Sequence, residues 1–134
     1  MFLDACAIIS MFASEETSHA YEQALQTASS PWTSALAAWE AIIILSRPDQ
    51  LNCQYSQSQA AVVEWLDARN IELRETASPR DILTHAVAVA EKHGIGKRSL
   101  SNFDCFHYAY AKATGDPLLT FDQKLRETDA TTLP

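Results

Sequence analysis

Apolar residues along this chain fall into two rhythms: short buried runs that suit strands, and longer stretches repeating every three to four residues that suit helices. Residues 1–5 (MFLDA) read as a buried strand, followed at once by a short helix over 5–13. Within 15–29, Ala20, Tyr21, Ala24, Leu25 and Ala28 form a one-sided stripe, and Ser29-Ser30-Pro31 breaks the helix. Trp32-Thr33 predicts a brief strand, Ser34 a cap, and 35–47 a helix stopped by Pro48. Residues 57–69 predict another amphipathic helix capped by Ser56, and 71–74 a further strand. Ser78-Pro79 opens a helix that runs to His93 and stops at Gly94. After a loop with a basic centre (GIGKRSLSN), 104–114 predict a helix capped by Asn102 and ended by Gly115. Residues 118–121 form a strand, 122–126 a short helix start, and 131–133 an edge strand.

Strands separated by helices imply a parallel sheet covered on both faces, an α/β fold in one domain over residues 1–134. The chain contains no internal repeat, low-complexity tract or linker.

Composition narrows the class. A hydrophobic share of 47% and a charged share of 20% suit a globular protein and exclude a disordered one. The longest apolar run, 35–45, is interrupted by Glu40 and falls short of the roughly 18 residues of a membrane span. Met1 leads straight into strand-like sequence, without a basic segment or cleavage pattern, so a cytoplasmic protein is expected. Cys6, Cys53 and Cys105 are odd in number and lack CxxC spacing, which argues against a disulfide framework or zinc knuckle. Cys6 and Cys105 are expected to be small buried side chains.

Four acids change the picture. Asp4 in MFLDACAII, Glu40 in SALAAWEAIIIL, Asp104 in SNFDCFHYA and Asp122 in DPLLTFDQKL each sit in apolar sequence. Acids are excluded from interiors unless paired or bound to a metal. Asp4 and Asp122 fall at the exits of predicted strands, where open parallel sheets gather functional groups. Asp104 lies in a first helical turn, favourable for an anion. Glu40 shares its helix face with Leu36, Ile43 and Ile44, and a lone glutamate there would go neutral or find a cation. Capping alone would account for Asp104 or Asp122 taken singly; the four together point to one anionic cluster. An all-oxygen set suits Mg²⁺, or Mn²⁺ in its place. His107, one turn after Asp104, is within possible reach of that site, with packing or support as its first reading.

The net charge of −7 is unlike that of a broad nucleic-acid binder. Setting the four embedded acids aside leaves 13 against 10 bases, compatible with an enzyme that meets phosphates through a metal and a few cations.

These segments, MFLDACAII, TSALAAWEAI and SNFDCFHYAYAKATGDPLLTFDQKL, with their order Asp, Glu, Asp, Asp, resemble the PIN-domain ribonucleases. Within them the chain looks like the VapC-type toxins of bacterial type II toxin–antitoxin systems. The resemblance is specific at the two ends of the chain and vague between residues 48 and 93. It implies a three-layer α/β/α sandwich with a short parallel sheet, and a Mg²⁺-dependent endoribonuclease in which Asp4, Glu40, Asp104 and Asp122 bind metal and carry catalysis. It also implies an RNA substrate, a small antitoxin partner and a homodimer. Two positions depart from the family pattern: Phe103 stands where a glycine often precedes the third acid, and Cys6 where serine or threonine is frequent.

Ser34 and Thr120 are placed to orient water or a carboxylate, Ser34 reading first as a cap. Lys97 and Arg98 are placed to steady RNA phosphates, with a solvated loop as the equal alternative. A dehalogenase-like phosphatase needs Asp at position 6 and is excluded by Cys6; a receiver domain needs an acidic pair after the first strand and fails too. The competing reading is a PIN-like module with weak catalysis, kept for binding a protein or RNA partner. Phe12 and Trp32 are candidates for a dimer or antitoxin face, with core packing as the first reading.

Overall fold

Two-residue pairings build the whole sheet in the computed structural model, which describes residues 1–134. The chain runs β1 (Phe2–Leu3), α1 (Ala5–Phe12), α2 (Ser18–Gln26), β2 (Trp32–Thr33), α3 (Ala35–Leu45) and α4 (Tyr55–Ala68). It continues through β3 (Glu72–Leu73), α5 (Pro79–His93), α6 (Asn102–Thr114), β4 (Leu118–Leu119), α7 (Gln123–Arg126) and β5 (Thr132–Leu133). The strands lie in the order β3-β2-β1-β4-β5, and every pair is parallel.

Alternation along the strands sorts the core into two layers. Phe2, Trp32 and Leu118 face one way, into a cluster with Ile82, Val89 and Tyr108 of α5 and α6. Leu3 and Leu119 face the other way, among Ile8, Tyr21, Leu45, Val62 and Leu66 of α1 to α4. Successive side chains on a strand point to opposite faces, so each strand feeds both helical layers. Each fully buried Leu or Phe in these layers contributes roughly 1.5–3 kcal/mol by leaving water. The three-layer α/β/α architecture is the expected one.

Several boundaries differ from the sequence reading, and local hydrogen bonds explain them. The first and fourth strands are shorter than 1–5 and 118–121 because the chain turns into helices at once. Asp4 is already extended backbone capping α1, and Asp122 caps α7. The helix expected over 15–29 covers only Ser18–Gln26, since Ser18 N bonds Glu15 O in a turn (2.9 Å) and Thr27 Oγ1 folds back onto Ala24 O (2.7 Å). Ser56 does not cap α4; Gln54 does, with Gln57 Oε1 accepting from Gln54 N at 3.0 Å. Asn102 does not cap α6 but is its first residue, and Ser101 caps it. Gly115 ends α6 at φ 72°, a left-handed conformation that costs glycine no Cβ clash. Trp32 belongs to the core, fully buried, and donates its indole N–H to Asp116 at 2.7 Å. Phe12 is half-buried beside Trp65.

The topology itself selects a place for chemistry. From β1 the chain steps outward through β2 to β3, then returns to lay β4 on the opposite side of β1. Beyond the carboxyl ends of β1 and β4 lies the point where the winding reverses, the usual position for a site in open α/β sheets.

Candidate active site

Asp4 stands at that switch point. Leu3 pairs with Leu119, so the next residues, Asp4 and Thr120, emerge side by side. Asp4 Oδ1 caps α1 by accepting from Ala7 N at 2.8 Å, while the residue is 1% exposed and its Oδ2 has no hydrogen-bond partner. Burial raises its carboxyl to about 6. His107 and Thr120 hold that rise back, and nearby Glu40 adds to it. The Thr120 hydroxyl also accepts from Asp122 N at 3.0 Å.

Glu40 reaches the same neighbourhood from the middle of α3. Its Oε2 meets His107 Nε2 at 2.6 Å, across 67 residues of sequence. A carboxylate only accepts, which assigns the shared proton to Nε2. His107 is 1% exposed, and its Nδ1 is buried without a partner. Phe103 stacks on the imidazole (centroids 6.5 Å apart, 25° between planes) and helps fix its plane. The residue that replaces the family's glycine therefore braces the histidine. Ser34 caps α3 through Ala37 N at 3.1 Å, so its structural reading is the observed one.

Asp104 and Asp122 both serve as helix-end acids. Asp104 Oδ2 accepts from Ser101 N at 2.6 Å while Ser101 Oγ accepts from Asp104 N at 3.0 Å, a reciprocal cap. Asp122 Oδ1 accepts from Lys124 N at 2.8 Å and Leu125 N at 3.2 Å. In each case one oxygen is committed to the cap and the other lies outside it.

Cys6 shows how these acids relate. It is exposed rather than buried as expected, because it lies on the outward side of α1. Enough protein surrounds its thiol that desolvation pushes its pKa up, and Asp4, Asp122, Glu40 and Asp104 all push in the same direction. The four predicted acids thus share one electrostatic neighbourhood. They do not form a finished cage: no three acids, histidines or cysteines stand close enough to hold an ion as they are.

By donor chemistry the set still fits a hard divalent cation, with carboxylate oxygens throughout and one buried Oδ2 lacking any partner. Three of the four acids, Glu40, Asp104 and Asp122, are only partly buried.

Basic groups gather around α7, the helix that Asp122 caps. Lys97 and Arg98 are exposed in the α5–α6 loop, and Lys97 O accepts from Lys124 Nζ at 3.3 Å. Arg126 places its guanidinium over the Phe121 ring, 5.5 Å from the centroid. Sequence reasoning missed Lys124 and Arg126, which read as ordinary charges in a short terminal helix. It also missed the partnership of His107 with Glu40, whose only sequence signal was a histidine one turn from Asp104.

A family model for the PIN domain matches residues 1–131. The chain belongs to the PIN-domain family. No curated protein matches it. Among solved structures, this PIN domain is similar to the Mycobacterium tuberculosis toxin VapC20, described as cleaving the sarcin–ricin loop. That likeness has a TM-score of 0.70 and 15% identity, covering 96% of this chain and 95% of the other. Haemophilus influenzae VapBC-1 gives 0.66 at 21% identity, covering 98% and 94%. PAE2754 of Pyrobaculum aerophilum gives 0.63 at 17%, covering 97% and 85%. At these identities the likeness is one of fold, and it establishes this chain as an α/β PIN domain shaped like VapC toxins.

Proposed function

We propose that this PIN domain is a Mg²⁺-dependent endoribonuclease, acting as the toxin of a toxin–antitoxin pair. The observation that carries the reading is Asp4. An acid sealed at the switch point of a parallel sheet, with an unpartnered oxygen and the Glu40 carboxylate raising its pKa further, is costly to the fold and suited to a cation. Asp4, Glu40, Asp104 and Asp122 would hold Mg²⁺, with Mn²⁺ able to replace it. Bound there, the ion supplies charge neutralisation at a phosphate and a water of lowered pKa.

The chain's own groups do the positioning. His107 orients Glu40 through Nε2, Thr120 braces the turn that presents Asp122, and the Ser101 cap fixes Asp104. Lys124 and Arg126, in the helix that Asp122 caps, and Lys97 and Arg98 in the α5–α6 loop would meet RNA phosphates without reading sequence. The likeness to VapC20, described as a sarcin–ricin loop cleaving toxin, and to VapBC-1 supports RNA as the substrate class and a small antitoxin as the partner. An apolar groove of ≈ 330 Å³ between α3 and α4, with Trp39, Tyr55 and Leu73 exposed around it, supports a protein partner. A homodimer and a cytoplasmic location belong to the same reading. No helix is long and apolar enough to cross a membrane.

The absence of a finished ion cage favours the rival, a PIN-like module that mainly binds. Incubating a mixed RNA pool with Mg²⁺, with Asp104→Asn and Glu40→Ala controls, separates the two. Cleavage lost in both variants supports the nuclease; cleavage by neither the parent nor the variants supports the binding module. Cleavage at the parental rate by Glu40→Ala would show the assigned site to be wrong.

A further inference from the structure

We infer that the cavity beside Asp122 is a subsite for one unstacked RNA base next to the scissile phosphate, selecting bases that carry an exocyclic amine. The inference rests on the nuclease reading above and deepens it.

The cavity has a volume of ≈ 270 Å³ and opens between α1, α2 and the link from β4 to α7. That is below the roughly 300–1,000 Å³ of sites enclosing whole drug-sized ligands, and leaves room for a single planar ring system. Asp122 lines one end, so a base seated there is adjacent to the carboxylates assigned to the phosphate.

Its walls are of two kinds. Ile9, Tyr21 and Phe121 supply the apolar side. Phe121 is half-buried and held rigidly: its ring meets Tyr21 edge-on (centroids 4.9 Å, 69°), and its N–H donates to Tyr21 Oη at 2.7 Å. Arg126 places a planar cation over the same ring. Sequence-specific recognition of single-stranded RNA uses such aromatic and guanidinium planes for splayed bases, with hydrogen bonds to the base edge.

The polar side decides which base. Ser10 Oγ and Thr17 Oγ1 are bonded to each other at 2.7 Å and so partly satisfied. Glu15 is exposed on the rim, in a turn fixed by its own N–H donating to Ser10 O at 2.9 Å. A carboxylate only accepts, so it pairs with edges rich in N–H donors. Cytosine, adenine and guanine offer an exocyclic amine, and uracil does not.

Deep sequencing of the ends left after Mg²⁺-dependent cleavage of a degenerate RNA tests the subsite. For the parent protein, uracil should be depleted at one position flanking the cut. Glu15→Gln, which can donate as well as accept, should raise uracil at that position about fivefold. Phe121→Leu, which keeps apolar volume but removes the stacking face, should lower kcat/KM on the favoured sequence roughly tenfold. Active Glu15→Gln and Phe121→Leu proteins with the parental base profile and rate would overturn the subsite and leave the nuclease standing. A parent protein that cuts no RNA would overturn the nuclease reading and the subsite with it.

Discussion

Burial acts on Asp4 in a way that can be read in a titration. Its carboxyl is raised to about 6 from 3.8, chiefly because burial disfavours the charged form. In the metal-free protein the folded state therefore holds its proton more tightly than the unfolded chain. Stability is unpenalised below pH 4, falls as pH rises through about 4 to 6, and is lower by roughly 3 kcal/mol above that window. Asp4→Asn keeps the Oδ1 acceptor for Ala7 N and removes the charge. It should be more stable than the parent at pH 8, with the gap closing near pH 4 in denaturant melts, and it should lose Mg²⁺-dependent cleavage. A gap independent of pH would show that Asp4 is not the strained charge. His107 carries the second residue-scale expectation. His107→Phe deprives Glu40 of its donor, at about 1–3 kcal/mol of stability, and should cut the cleavage rate at least tenfold. His107→Gln, which can donate an N–H from a similar position, should recover part of both. At this scale the sequence showed Glu40 in need of a partner, from the apolar ring of residues around it. It did not show which partner, because contacts across 67 residues leave no local trace.

Helix caps connect these residues to their elements. Asp4, Asp104 and Asp122 each bond a helix N-terminus, so the site acids also define where α1, α6 and α7 begin. Cap and candidate ligand, weighed as alternatives from sequence, coexist on different oxygens of one side chain. Ser101→Ala removes the reciprocal partner of Asp104. It should cost about 1 kcal/mol in chemical denaturation and, by freeing the Asp104 side chain, lower kcat more than it raises KM. Equal stability with unchanged kcat would separate the cap from the site. Helices with a strong stop were legible: Pro79 and Gly94 bound α5 as expected. The α4 and α6 starts were not: at α4 the favoured cap type, Ser56, yields to Gln54 through its reciprocal bond with Gln57, and at α6 two adjacent cap-competent residues, Ser101 and Asn102, compete. Strand lengths were overread for a different reason. Apolar sequence continues past β1 and β4 into helices, and periodicity alone cannot mark where pairing stops.

Across the whole molecule, winding order brings separated acids to one end of one sheet. The parallel architecture followed from alternating strand and helix patterns, whereas the spatial order β3-β2-β1-β4-β5 had no local signal. Charge is the remaining constraint at this scale. A net of −7 repels RNA from most of the surface, so binding should depend on the divalent ion and on the few bases beside the acids. Lys97, Arg98, Lys124 and Arg126 can neutralise at most a handful of phosphates. With about 0.7 counterions released per phosphate on a single strand, the slope of log K against log salt should be shallower than about −3. An Asp104→Asn protein, inactive but folded, allows that slope to be measured on intact RNA by fluorescence anisotropy. Removing the divalent ion with EDTA should weaken binding further without steepening the slope, because the acids then face phosphate unscreened. A steep slope of −6 or beyond would require a basic surface that this chain lacks, and would point to a second protein carrying the RNA contacts.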